Sequence, residues 1–179
     1  MLGSRRSSVR SLPRVLLAVY SAVLAWLILL KFSVHVASAL HYDNRSVNLV
    51  PFSSSSGSAS EIAANVVVFI PFGLLLALNF RQLDLRRSLA VVLAVSLTAE
   101  IAQYIFAIGA SDITDVITNT AGGLIGLTAY GLGTRLTDQD RLDRFIVTAG
   151  SALLVLVVLL LGAVELRHGI RYHSPRTNG

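Results

Sequence analysis

The chain has 179 residues, 54% hydrophobic and only 14% charged, with a mean hydropathy of +0.68; an ordinary soluble domain is more polar, so several membrane spans are indicated. The net charge of +5 comes almost wholly from arginines in short loops between apolar runs, where they set topology, so nucleic-acid binding is set aside. No cysteine is present, which excludes disulfides, thiolate nucleophiles and cysteine-based zinc or iron–sulfur sites.

Residues 1–12 read as a basic cytoplasmic segment, followed by a first apolar run at 13–32. Basic residues, an apolar stretch and then Ala37-Ser38-Ala39 follow the order of a cleavable signal peptide. The run is long for that, and Lys31 and His35 separate it from the small residues, so a retained helix is expected. Ser4-Arg5-Arg6 is too little to define a twin-arginine signal. A serine-rich loop over 53–60 leads into the second run, with Ser60 placed to cap it and Glu61 at the positive helix end.

Further apolar runs at 61–79, 88–108, 113–133 and 145–164 each reach the roughly 17–25 residues that cross a bilayer. Pro71 in the second and the glycines of the fourth are tolerated in membrane helices. Alternating barrel strands are nowhere visible, and no internal repeat is evident. The expected fold is all-α, a polytopic transmembrane bundle of about five helices over 13–164, with a polar tail at 165–179. One set of loops carries ten arginines and the other five lysines and arginines. The richer side is cytoplasmic, which places the N-terminus inside and the C-terminus outside; Arg167, Arg171 and Arg176 of the tail weigh the other way.

Polar side chains interrupt the middle spans. Asn65, Glu100, Gln103 and Asn119 sit where a polar group costs several kcal/mol unless paired. Counting about 1.5 Å per helical residue, Asn65, Glu100 and Asn119 come about 6, 12 and 10 Å from the outer edge. Ser96, Glu100 and Gln103 share one helical face, as do Asp112, Asp115, Asn119, Gly122 and Gly126 on the next helix. The short connection makes these two helices an antiparallel pair, and the Gly122/Gly126 G-x-x-x-G lets two backbones approach closely.

Each of these residues has a plainer role open to it. Asn65, Gln103 and Asn119 can serve as interhelical hydrogen-bonding amides, Asp112 and Asp115 as helix caps, and Pro71 as a kink. Glu100 is harder to dismiss. No lysine or arginine lies at matching depth on any span, which leaves it protonated, bonded to Gln103 or Asn119, or hydrated from an outer cavity.

The histidines lie in the first outer loop (His35, His41) and the tail (His168, His173), so no Ser-His-Asp set is formed. Neither an H-E-x-x-H motif nor a glycine-rich phosphate loop is present, and no cofactor is called for. No metal is assigned, although Glu61, Glu100, Asp112 and Asp115 all fall on the outer side, where their oxygens would suit a hard cation.

Four separated motifs then stand in order. They are Asn48-Leu49-Val50-Pro51-Phe52; Asn65 with Phe69-Ile70-Pro71-Phe72-Gly73; Ser96 with Glu100-Ile101-Ala102-Gln103; and Asp112-Ile113-Thr114-Asp115-Val116 with Asn119-Thr120-Ala121-Gly122-Gly123 and Gly126. Over about 48–126 this order resembles the VanZ-like membrane family. The resemblance implies a multi-pass helical protein of the bacterial cytoplasmic membrane, in a family named for an accessory factor of low-level teicoplanin resistance. The positions it singles out are Asn48, Pro51, Phe52, Asn65, Pro71, Gly73, Glu100, Gln103, Asp115, Asn119, Gly122 and Gly126. Many relatives carry an arginine shortly before the Asp112 region, where this chain reads Gly109-Ala110-Ser111.

The reading that follows is an envelope protein that binds a lipid, a lipid-linked precursor or an amphipathic antibiotic at an outer-leaflet polar site. One alternative is a membrane-embedded enzyme using Glu100 or Asp115 as general acid or base. Another is a structural or assembly subunit whose motifs hold the bundle together. A transporter fits least, for want of repeats.

Overall fold

A computed structural model describes residues 3–28, 47–53, 57–106 and 111–172, with side chains described from 11 to 159 except Val157. Lys31, His35, Ala37-Ser38-Ala39, His41, Arg45, Gly109 and Ala110 lie outside the described residues. Five helices account for nearly all of the described chain: α1 (Gly3–Trp26), α2 (Ala59–Asn79), α3 (Leu85–Ile105), α4 (Ile113–Leu136) and α5 (Gln139–Tyr172). Two-residue strands, β1 (Val47–Asn48) and β2 (Ser111–Asp112), pair in parallel with Asn48 opposite Asp112. The all-α class expected from the sequence is therefore found, with one short bridge added.

Helices α2 and α3 are long and apolar enough to cross a membrane, and α1 contributes a shorter apolar stretch, Ser11–Trp26. Helix α1 already includes most of 1–12, and α5 begins before the apolar run and continues beyond it to Tyr172.

Helix starts follow their caps. Ser58, not Ser60, caps α2, in a box in which the Ser58 side chain accepts from Glu61 N–H and the Glu61 carboxylate accepts from Ser58 N–H. The serine-rich run offers several hydroxyls, and Ser58 prevails because Glu61 stands three residues on. Asp84 caps α3 and Asp112 caps α4.

The helices meet along glycine and polar faces. Running down α4, Asp115 meets Asn65, Gly122 meets Val66 and Phe69, and Gly126 meets Ile70 and Leu74, so α2 and α4 run parallel. A methyl group on Gly73, Gly122 or Gly126 would collide with backbone of the facing helix. The G-x-x-x-G face thus admits α2. Against α3 the contacts are Gly123 to Val92, Asn119 to Ser96 and Asp112 to Glu100, the antiparallel pairing the short connection requires. The glycines serve α2 because that helix brings its own Gly73 to the seam, while α3 presents Val92.

Phe69 and Phe72, edge-to-face with centroids 6.0 Å apart, centre a core that includes Leu24, Ile28, Leu76, Val92 and Leu127. Tyr20 donates its hydroxyl to the Val68 carbonyl (2.7 Å), beside the Val67 carbonyl that Pro71 deprives of its helical donor. Helix α2 continues through Pro71 without a break. On α3, Ser96, Glu100 and Gln103 point inward and are buried, while Leu93, Leu97, Ile101 and Ile105 are exposed on the outer face. Polar groups inside and leucine outside invert the soluble pattern, as a lipid surround demands.

Candidate functional site at the acidic end of the bundle

The pairing of β1 with β2 gathers most of the motif residues at one end. Asp112 is the hub. Its Oδ1 accepts from Thr114 N–H (2.8 Å) as the α4 cap, its Oδ2 accepts from Asn48 Nδ2 (3.0 Å), and its own N–H donates to Glu100 Oε2 (2.9 Å). Ser111 Oγ donates to the same Glu100 oxygen (3.1 Å). Glu100, only 5% exposed, is therefore held by a backbone amide and a hydroxyl, and not by Gln103 or Asn119. The reason is local. Helix α3 ends at Ile105 and α4 begins at Ile113, and the Asp112 amide, which belongs to neither, needs an acceptor that Glu100 supplies.

Asn48 is fully employed. Its Nδ2 donates to Ser53 Oγ (2.8 Å) as well as to Asp112, and its Oδ1 accepts from Val50 N–H (3.1 Å) in an Asx turn. The turn continues through Pro51 to Phe52, whose φ of 53° lies in the left-handed region. Phe52 N–H donates to Thr114 Oγ1 (3.0 Å), and this bond helps hold the strained residue in place. Leu49, Val50 and Phe52 project from this turn and are well exposed, an apolar rim beside the polar hub.

A second arm joins α2 to α4, where Asn65 Nδ2 donates to Asp115 Oδ1 (2.7 Å). Glu61, Asp112 and Asp115 lie close enough for their charges to interact, as do Glu100, Asp112 and Asp115. Among the described residues no cation faces them. Glu100 Oε1 and Asp115 Oδ2 make no hydrogen bond to any described residue. No group of three or more His, Asp or Glu is placed to hold a metal ion among the described residues, so the four acids do not form the cation cluster their order allowed.

The remaining candidates lie elsewhere. Asn119 Nδ2 donates to Ser96 Oγ (3.0 Å) deeper between α3 and α4, and Gln103 Nε2 donates to the Ile28 carbonyl of α1 (3.2 Å). Asn119 Oδ1, Gln103 Oε1 and Thr120 Oγ1 are buried with no hydrogen-bond partner among the described residues. Gly73, Gly122 and Gly126 form the seam, and Pro71 lies on the α1/α5 side of α2. The sequence reading thus expected one polar site, and the structure resolves two arms at one end and two separate interhelical contacts. Ser111, Thr114 and Ser53 were missed. Only the pairing of two distant strands reveals them, and a hydroxyl beside a helix start carries no distinctive sequence signal.

These features describe an all-α protein with two helices long and apolar enough to cross a membrane and an acidic, apolar-rimmed end held by neutral donors. The VanZ/LLP1 family model matches residues 17–134, so the match includes the latter part of α1 as well as the four motifs. Protein VanZ of Enterococcus faecium is 49% identical over 156 residues, which cover 87% of this chain and 95% of that protein. The chain belongs to the VanZ/LLP1 family. No solved structure matches it.

Proposed function

We propose that this protein is a five-span bundle of the bacterial cytoplasmic membrane, with its N-terminus inside, that binds an amphiphile at the outer leaflet and thereby lowers sensitivity to glycopeptide-type antibiotics such as teicoplanin. The observation that carries the reading is the paired carboxylates at the acidic end. Glu100 and Asp115 each have one oxygen fixed by neutral donors and the other uncommitted, beside exposed Leu49, Val50 and Phe52. Such a site suits an ammonium or hydroxyl-rich head on an apolar body. A phosphate suits it poorly, since no arginine stands among the described residues of this end, and Gly109-Ala110-Ser111 occupies the stretch where many relatives carry one. A lipid, a lipid-linked precursor and the antibiotic itself all have the required amphiphilic character. The resistance part of the reading is supported by the resemblance to a family named for an accessory factor of teicoplanin resistance, together with the 49% identity to Protein VanZ.

The test pairs Glu100→Gln with Asp115→Asn. Each amide keeps an acceptor oxygen, so the bonds from Asp112 N–H, Ser111 and Asn65 persist while the negative charge goes. The expected result is a detergent melting temperature near the parent's, with drug sensitivity equal to that of a deletion strain. Parental sensitivity in both variants would sink the binding reading.

One observation favours a second reading, a structural role. Asp112, Asn48, Thr114 and Glu100 together tie β1, β2, α3 and α4, as an assembly joint would. Under that reading Asp112→Ala, which breaks the Asn48 bond and the α4 cap, loses the fold along with the phenotype, while the two amide variants keep both.

A further inference from the structure

At the opposite end, a cavity of about 580 Å³ opens between the α2–α3 turn, the start of α3, the end of α4 and the start of α5. Its polar lining includes Arg81, Ser88, Tyr130, Arg135 and Gln139, and its apolar walls include Phe80 and Leu132. We propose that this cavity is a second site, unrelated to the acidic end, that binds the phosphate headgroup of an anionic phospholipid from the leaflet on the arginine-rich side.

Three observations converge on that ligand. First, the lining contains two arginines and no carboxylate. The nearby acid, Asp143, is already engaged by the Arg81 guanidinium and the Tyr130 hydroxyl, which leaves Arg135 with no hydrogen-bond or ion-pair partner among the described residues. Second, Ser88 is 3% exposed, lines the cavity, and its hydroxyl makes no hydrogen bond to any described residue. A buried hydroxyl lining a cavity that two arginines also line is a donor open to an oxyanion. Third, the lining also includes Leu83, Leu85, Leu127 and Leu132, the apolar wall that an attached glycerol and acyl chain require. The volume lies within the range of small-molecule sites and is ample for a headgroup. In the orientation proposed above, the arginine-rich loops at this end face the cytoplasmic leaflet, where anionic phospholipids are presented to them.

The experiment is native mass spectrometry of the purified, delipidated full chain, titrated with phosphatidylglycerol, phosphatidylcholine or inorganic phosphate. The parent should retain phosphatidylglycerol in preference to phosphatidylcholine, and millimolar phosphate should not displace it. Arg135→Gln and Ser88→Ala should each weaken retention about tenfold, the loss of one charge-assisted hydrogen bond. Arg144→Gln, a change outside the lining, should leave retention at the parent's level. Arg135 is exposed at a helix end, so its variant should fold; Ser88→Ala carries the test on its own if it does not. Equal retention of both lipids, displacement by phosphate alone, or parental retention in both lining variants would overturn the proposal.

Discussion

At the acidic end Glu100, Asp112 and Asp115 are held by backbone amides, amide side chains and hydroxyls, whereas at the basic end Asp143 is held by Arg81 and Tyr130. The difference concerns more than charge sign. Neutral donors fix a carboxylate without an ion pair, so among the described residues no cation of the protein neutralises the acidic end. A guanidinium cancels the carboxylate it holds, so the basic end is left with the surplus of Arg135. Burial differs as well. Glu100 is 5% exposed, while the Arg81 side chain is 44% exposed and half in solvent. Interactions at the first end should therefore be costly to break, and those at the second cheap.

The seam that joins the two ends gives the largest expected effect. Gly126→Leu places a side chain against the Ile70 carbonyl and the Gly73–Leu74 backbone, which cannot yield as a side chain would. A loss of about 3 kcal/mol or more is expected, at the upper end of overpacking costs. Both ends should fail together, seen as loss of a monodisperse peak in detergent. If drug resistance survived with the lipid site lost, the two ends would be independent folding units and the comparison would need recasting.

Next comes a matched pair. Asp112→Ala removes the α4 cap and leaves Asn48 without one of its acceptors, for an expected cost of about 2–4 kcal/mol. Asp143→Ala frees Arg81 into solvent and removes one partner of the Tyr130 hydroxyl, and should cost about 1 kcal/mol. Denaturant unfolding in mixed micelles measures both. Equal costs would erase the distinction between an end built on buried neutral donors and one built on a solvent-washed ion pair.

How much of this was legible in the sequence follows from the range of each interaction. The inward face of α3, the capping aspartate at 112 and the glycine pair at 122 and 126 depend on helical periodicity, which a sequence displays directly. The choice of α2 as the partner of those glycines depends on Gly73, 49 residues away, and no local pattern announces it. Glu100 stands out in the sequence because no lysine or arginine lies at its level on any span, and among the described residues no cation bonds to it. Its partners were misjudged because the nearest polar side chains, Gln103 and Asn119, were weighed ahead of a backbone N–H in an irregular segment. Arg81 and Arg135 were counted as topology markers, and nothing in a charge count shows that their end of the bundle encloses a cavity.

The smallest effect expected is also the one that separates stability from function at the acidic end. Phe52 holds a φ of 53°, a conformation that costs a residue with a side chain about 1–2 kcal/mol and glycine almost nothing. Phe52→Gly removes that strain but adds freedom to the unfolded chain, so the net stabilisation should be about 0.5 kcal/mol. The Phe52 N–H bond to Thr114 does not depend on the side chain and should persist. If the ring only filled space, a glycine variant would be slightly more stable and equally active. The ring is 60% exposed on the turn that Asn48 and Thr114 tie to the acidic end, where it offers apolar surface to an amphiphile. A variant that melts higher yet confers less resistance would show strain retained at this turn for the sake of binding.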